Sequence, residues 1–237
     1  MKVIGIIPSR YNSSRFPGKP LAKILGKSMI QRVYEQCKKA KSLSDVIVAT
    51  DDKRIFNHVK NFGGKAIMTN QNHQSGTERC NEVIECLEKK YDIAINIQGD
   101  EPFINPEQID QLSSMFIKED VSIATLAIKI NDLTLLNDKD NPKAIIDKNN
   151  IAQNFCRIIL DYSTNTNYFK HIGIYGYQTS TLAEICNLTP SENEKKEQLE
   201  QLRWLDNKYT IKVGITTKES LSVDTPEDIE KIKAQMG

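Results

Sequence analysis

The segment richest in groups that can do chemistry is Pro8-Ser-Arg-Tyr-Asn-Ser-Ser-Arg-Phe-Pro-Gly-Lys-Pro20. It gathers Arg10, Arg15 and Lys19 with serines and a glycine, a set of planar forks and a point charge suited to a polyphosphate. The spacing matches neither a Walker A loop nor a G-x-G-x-x-G fingerprint, and composition alone fits a solvated basic loop equally well. A second chemical segment, Gln98-Gly-Asp-Glu-Pro102, follows an apolar run. There the glycine lets the backbone turn and Asp100 projects over the strand end. Magnesium keeps several waters and takes one or two carboxylates plus phosphate oxygens, so Asp100 needs one partner from elsewhere. Asp224, just ahead of Thr225-Pro226, is the best candidate, although each acid read singly also fits a turn or a helix start. His73-Gln-Ser-Gly-Thr-Glu-Arg79 ends in a third helix start, whose free backbone N–H groups can meet a ligand. A plain cap accounts for Ser75 and Glu78 but not for Arg79, a cation in the first turn that the helix dipole disfavours.

These segments need elements to position them. Val3-Ile7, Val46-Ala49, Ala66-Met68, Ile93-Ile97 and Ile123-Ile128 have the β-rich apolar character of strands. Between them, Ser28 caps a helix with Met29, Ile30, Val33 and Cys37 on one face, and Asp51-Asp52 starts another that stops at Gly63-Gly64. Ser75 and Glu78 have capping-box spacing, and Asn105-Pro106 starts a fourth helix. The alternation predicts a doubly wound α/β fold with a predominantly parallel sheet, in which ligands bind beyond the carboxyl ends of the strands. From about Asn131 the pattern loosens into an asparagine-rich stretch through Asn150. Strands follow near Ile151-Ile159 and His171-Tyr177, helices at Thr179-Asn187 and Ser191-Leu205, a strand at Ile211-Thr216 and a final helix led by Thr225-Pro226. No repeat or long linker divides the chain, so residues 1–237 are expected to form one domain, with 131–205 an elaboration on it.

Thirty-two basic against thirty-one acidic residues leave a formal charge of +1. No overall field recommends nucleic acid or an anionic membrane, so any phosphate binding is local. Five cysteines, odd in number and without a C-x-x-C pair, fit a reducing compartment and argue against zinc. The run Val3 to Ile7 is too short for a signal sequence or a membrane span. The expectation is a cytoplasmic protein that does not insert into membranes.

The order Pro-Ser-Arg-x-x-Ser-Ser-Arg-x-Pro-Gly-Lys-Pro after a strand resembles the opening of the 3-deoxy-manno-octulosonate (Kdo) cytidylyltransferases. The likeness recurs in Val48-Ala-Thr-Asp-Asp52, Met68-Thr69, His73 to Arg79, Asn96-Ile-Gln-Gly-Asp-Glu-Pro102, His171-Ile-Gly-Ile-Tyr-Gly-Tyr177, Leu199-Glu-Gln-Leu-Arg203 and Val223-Asp-Thr-Pro-Glu-Asp228, nearly the whole chain in the family's order. The resemblance implies a nucleotide-diphospho-sugar transferase-like fold, a homodimer, and the reaction of CTP with Kdo to CMP-Kdo and pyrophosphate toward lipopolysaccharide. It implies that Pro8, Ser9, Arg10, Ser14, Arg15, Lys19, Ser75, Gly76, Thr77, Arg79 and Gln98 bind the nucleotide. Gln98, Arg157, His171, Tyr175, Glu200 and Gln201 would bind the sugar acid, and Asp100 and Asp224 would hold Mg²⁺. Arg10, Arg15, Lys19 and Asp100 would be the catalytic set. His171 and Tyr175 reach one site if their strand is regular, although a lone strand histidine is more often structural.

The chain departs from the family at Asn154-Phe-Cys-Arg157 and the proline-free run after it, where the family usually reads close to Tyr-Phe-Ser-Arg and a Pro-containing loop. The stretch from Asn137 to Asn150 also diverges. Both lie on the expected sugar side, so 8-amino-Kdo or another nonulosonic acid stays open as acceptor. A nucleotide-sugar-dependent glycosyltransferase and a non-catalytic nucleotide-binding relative are the alternatives from other classes.

Overall fold

In the computed structural model, which describes all residues except 13–14, 119–120, 165, 220 and 237, the first strand sets the architecture. Strand β1 (Val3–Ser9) sends Ile4 and Ile6 into one core cluster and Val3 and Ile7 into another. A period of two with both sides apolar requires cover on both faces. Helices α1 (Met29–Cys37), α2 (Lys53–Asn61) and α4 (Pro106–Lys118) cover one face through Ile30, Val33, Ile55, Val59, Ile109 and Leu112. Helices α3 (Gly76–Cys86), α5 (Thr179–Cys186) and α7 (Gln201–Asp206) cover the other through Cys80, Val83, Leu182, Ile185, Leu202 and Trp204. Each such side chain removed from water contributes about 1.5–3 kcal/mol.

Two short strands, β2 (Lys23–Ile24) and β3 (Lys27–Ser28), form a separate hairpin before α1. The large sheet contains β1, β4 (Leu43–Thr50), β5 (Ala66–Met68), β6 (Ile93–Asn96), β7 (Ile123–Lys129), β10 (Phe169–Gln178) and β11 (Ile211–Thr216), in the order β11-β7-β10-β6-β1-β4-β5. All these strands run the same way except β10, which is antiparallel to both β6 and β7. The chain leaves β1 toward β4 and β5 on one side and returns to β6 on the other. The carboxyl ends of β1 and β6 therefore form the switch point where such sheets open a crevice.

The expected helix starts are present. Ser28 Oγ accepts from Gln31 N, Asp52 from Arg54 N, Ser75 Oγ from Glu78 N, and Asn105 Oδ1 from Glu107 N. At Ser75 only half of a capping box forms, because the Glu78 carboxylate accepts from Gln74 N instead. The segment 131–205 departs most from expectation. The strand expected at Ile151-Ile159 is only β9 (Ala152–Cys156), and the asparagine-rich stretch hides β8 (Lys143–Ile146), which pairs with both β9 and β10. The single helix expected over Ser191-Leu205 is two, α6 (Glu192–Glu197) and α7, broken at Gln198 with φ 54°. The left-handed residue separates a segment that buries no side chain, α6, from one that buries Gln201, Leu202, Arg203 and Trp204, α7.

The last helix, α8 (Pro226–Met236), packs Ile229 and Ile232 with Val223 against Ile24 and Met29. That small third cluster carries the chain's end back onto the loop after β1.

Candidate functional site

The loop that leaves β1 closes on itself before it reaches any ligand: Gly18 N donates to Tyr11 O at 2.8 Å, and Gly18 has φ 74°. A left-handed residue here favours glycine, and the turn delivers Lys19 to the switch point. Lys19 Nζ donates to Asp100 Oδ2 at 2.8 Å and to Val223 O at 2.9 Å, and lies 3.6 Å from Asp224 Oδ1. Arg15 reaches the same Asp224 oxygen at 3.0 Å, and Val223 N donates to Asp100 O at 2.9 Å. Arg10 donates to His73 O. Two carboxylates far apart in sequence thus converge on one ammonium, which shows that a cation fits between them. Among the described residues no group of three or more His, Cys, Asp or Glu could hold a metal. A metal here would need phosphate oxygens and water to complete its shell, which is how magnesium binds.

A cavity of about 250 Å³ lies against Pro8, Ser9, Arg10, Lys19, Gln98 and Asp100. A second, of about 400 Å³, is lined by Pro8, Gly76, Thr77, Asn96, Gln98, His171, Tyr175, Glu200 and Gln201. Pro8 and Gln98 border both. Along the second cavity, Asn96 Oδ1 and Gln201 Nε2 are buried without a hydrogen-bond partner, as Ser9 Oγ is along the first, while the Tyr175 hydroxyl has the Thr125 hydroxyl beside it. Buried polar atoms left unpaired cost about 1–3 kcal/mol each, so water or a polar ligand that bonds them there is favoured.

His171 and Tyr175 do face one cavity, but not because β10 is regular. Its pairing with β7 shifts between Ile172 and Tyr175, and two added residues, unlike one, keep both rings on one face. The rings sit 5.3 Å apart, with Phe155 5.1 Å from His171 and Trp204 5.1 Å from Tyr175. Burial pushes the His171 pKa down to about 3 and the Tyr175 hydroxyl well above its ordinary value, so both are neutral at pH 7. Burial also raises the Glu200 carboxyl, against hydrogen bonds from Ser75 and Thr77; Thr77 Oγ1 donates to it at 2.8 Å.

Other expected residues are placed differently. Ser75 lies off both cavities and caps α3, while Gly76 and Thr77 line the second cavity with the expected sugar-side residues. Arg79 is fully buried and bonds Thr69 and Asp51, the latter at 3.0 Å, which gives the cation in this first helical turn a counter-charge, while its Nε has no partner. Its burial lowers its pKa despite Asp51. Arg157 donates to the carbonyls of Glu197, Lys139 and Gln198 and borders neither cavity. Ser14 lies outside the described residues. Asn96, which carries no role in the sequence reading, also lines the second cavity, and its sequence signal is a polar residue closing an otherwise apolar strand.

The family model described as Cytidylyltransferase matches residues 4–232. The 3-deoxy-manno-octulosonate cytidylyltransferase of Parabacteroides distasonis is 50% identical over 99% of this chain and 98% of its own. The chain belongs to the Kdo cytidylyltransferase family. The solved CMP:2-keto-3-deoxy-manno-octonic acid synthetase complexed with CTP superposes with a TM-score of 0.93 at 39% identity, covering 100% of this chain and 98% of that one. The match covers the whole chain, the described residues of the divergent stretch from 137 onward included. The 8-amino-3,8-dideoxy-manno-octulosonate cytidylyltransferase of Shewanella pealeana is 45% identical over 100% of this chain and 99% of its own. A 4-diphosphocytidyl-2C-methyl-D-erythritolsynthase from Anaerococcus prevotii shares the fold alone, at TM-score 0.66 and 14% identity. Membership makes the chain a nucleotidyltransferase rather than a glycosyltransferase.

Proposed function

We propose that this chain transfers the cytidylyl group of CTP to Kdo, forming CMP-Kdo and pyrophosphate, with Mg²⁺ held by Asp100 and Asp224. The observation that carries the reading is the meeting of two cavities at Pro8 and Gln98, one bordered by Arg10, Lys19 and Asp100, the other by unpaired polar atoms. The triphosphate occupies the first and the sugar acid the second, so the α-phosphorus and the anomeric hydroxyl meet beside Gln98. The anomeric oxygen forms the new bond to phosphorus as the bond to the β-phosphate oxygen breaks. Pyrophosphate leaves with that electron pair, and the hydroxyl proton is released. Arg10, Arg15 and Lys19 stabilise charge that moves onto the phosphates. When bound, Mg²⁺ supplies Lewis-acid charge to the phosphate oxygens and acidifies the acceptor hydroxyl. Neutral His171, Tyr175 and Gln201 orient the sugar by hydrogen bonds rather than by charge.

The product would serve lipopolysaccharide synthesis. A cytoplasmic location is supported by five free cysteines, and a homodimer by the family resemblance. No described helix is long and apolar enough to cross a membrane. The Shewanella relative makes 8-amino-Kdo the second acceptor to test. Pyrophosphate release measured with CTP or UTP against Kdo, 8-amino-Kdo and neuraminate decides the matter. The expected result is the highest kcat/KM for CTP with Kdo. Equal use of UTP would remove cytidylyl from the reading, and preference for another acceptor would remove Kdo.

A further inference from the structure

The shift in β10 opposite β7 is organised by a residue to which the reaction assigns no role. Thr125 on β7 is fully buried. Its Oγ1 lies 2.8 Å from Ile174 O, 3.2 Å from Ile172 O and 3.0 Å from His171 Nε2. A threonine hydroxyl has one proton and two lone pairs, and carbonyl oxygens can only accept. The proton therefore goes to the Ile174 carbonyl, the shortest contact. Toward His171 the hydroxyl is left as an acceptor, so the ring must carry hydrogen on Nε2 and a bare lone pair on Nδ1. The same irregular turn presents Gly173 O, which accepts from Gln98 Nε2 at 2.7 Å. One hydroxyl thus holds the backbone that orients Gln98 and the ring that borders the second cavity.

We propose that Thr125 is a positioning residue for the acceptor: it fixes His171 as the Nε2–H tautomer, so that Nδ1 accepts a hydrogen bond from a sugar hydroxyl, and it braces the backbone that aims Gln98. The proposal deepens the acceptor reading given above and rests on it for the identity of the second cavity's ligand. Thr125→Val keeps the shape and removes the hydroxyl, and it leaves carbonyls and an imidazole N–H buried without their partner. Thr125→Ser keeps the hydroxyl.

The test has two parts. Long-range ¹⁵N spectra of the free wild-type protein report the ring state of its three histidines, and His171→Asn assigns the signal. The expected result is a neutral His171 protonated at Nε2, and a neutral ring protonated at Nδ1 overturns the proposal. In kinetics, Thr125→Val is expected to raise KM for the sugar acid about 10-fold, a loss of the size of one buried hydrogen bond, with a clearly smaller rise for CTP, whose cavity Gln98 also borders. Thr125→Ser is expected to restore most of the difference. An unchanged sugar KM in Thr125→Val, an equal rise for CTP, or a Thr125→Ser as impaired as the valine variant overturns the proposal. The ring state is read on the wild-type protein, with the variant used only for assignment, and the spectra need no turnover. A wild-type protein inactive on every sugar acid would sink the function while leaving the tautomer assignment intact.

Discussion

Arg15 and Lys19 look alike in the sequence and differ in surroundings. Arg15 is 64% exposed and meets Asp224 at the surface, an ion pair of little consequence for stability, whereas Lys19 is 14% exposed and separates two carboxylates. Arg15→Ala and Lys19→Ala are each expected to lower kcat/KM by about 10²–10³, the usual effect of losing one contact to transferring charge. Only Lys19→Ala should also lower the melting temperature, because the half-buried Asp100 would lose its ammonium partner and Asp224 would keep only the exposed Arg15. Wild-type kcat/KM in both folded variants would show that the loop does not hold the triphosphate. His171 carries a pH prediction. Its folded pKa, near 3, lies below the ordinary 6.5, so the unfolded chain binds a proton that the folded chain refuses. A depressed folded value means stability present above roughly pH 6.5 and lost as the pH falls toward 3. Between roughly pH 7 and roughly pH 5.5 this amounts to about 1 kcal/mol, and denaturant titrations of His171→Asn should lack that slope. An equal slope in both proteins would place the titration elsewhere.

At the scale of elements, the site depends on how closely the ends of β1 and β6 approach. A Cβ added at Gly99 would lie 2.8 Å from the carbonyl oxygen of Pro8, so Gly99→Ala must push apart the two segments that border both cavities. We expect kcat/KM to fall at least about 10-fold, since misplacing reacting groups by a fraction of an ångström to an ångström is costly. Gly26→Ala is the control. Gly26 has φ 83° in the β2–β3 turn with nothing near its Cβ position, so this change should lower stability by about 1 kcal/mol and leave turnover alone. Comparable kinetics for the two variants would mean that the β1–β6 approach does not set the reacting geometry. The break at Gln198 works on the same scale, because it starts α7 anew and turns Glu200 and Gln201 toward the second cavity.

At the scale of the whole molecule, the first and last segments of the chain are joined at one spot. Helix α8 packs on Ile24 and Met29, and this docking brings Asp224 beside Lys19 and Asp100. If both carboxylates hold one Mg²⁺, either substitution already breaks the metal geometry and the second has little left to remove. The expected outcome for Asp100→Asn, Asp224→Asn and the pair, measured as kcat/KM across a magnesium titration, is a double variant close to the worse single one. If Asp224 only supported its helix start, its loss would cost about 0.3–1 kcal/mol of stability and add independently to the Asp100 effect. Additive losses with a normal magnesium requirement in Asp224→Asn would refute the shared site.

The sequence by itself determined the strands buried on both faces, the capped helices between them and the family, because these follow from local periodicity, cap residues and motifs that stay contiguous in the chain. It also marked Lys19, Asp100 and Asp224 as chemistry-bearing, through the family motifs around them, since each read singly also fits a solvated loop, a turn or a helix start. Tertiary structure alone decided which groups remain available to a ligand. Arg79 and Arg157 carry the same charge as Arg15, yet Arg79 turns its two terminal nitrogens to Thr69 and Asp51, and Arg157 turns its fork to three backbone carbonyls. Strand β8 was illegible because its fully buried Lys143 reads as a surface residue until two carbonyls are seen to receive its ammonium. The irregularity in β10 and its tie to Thr125 were equally hidden, because strand register and hydrogen-bond partners across a sheet depend on residues distant in sequence, and no local pattern encodes them.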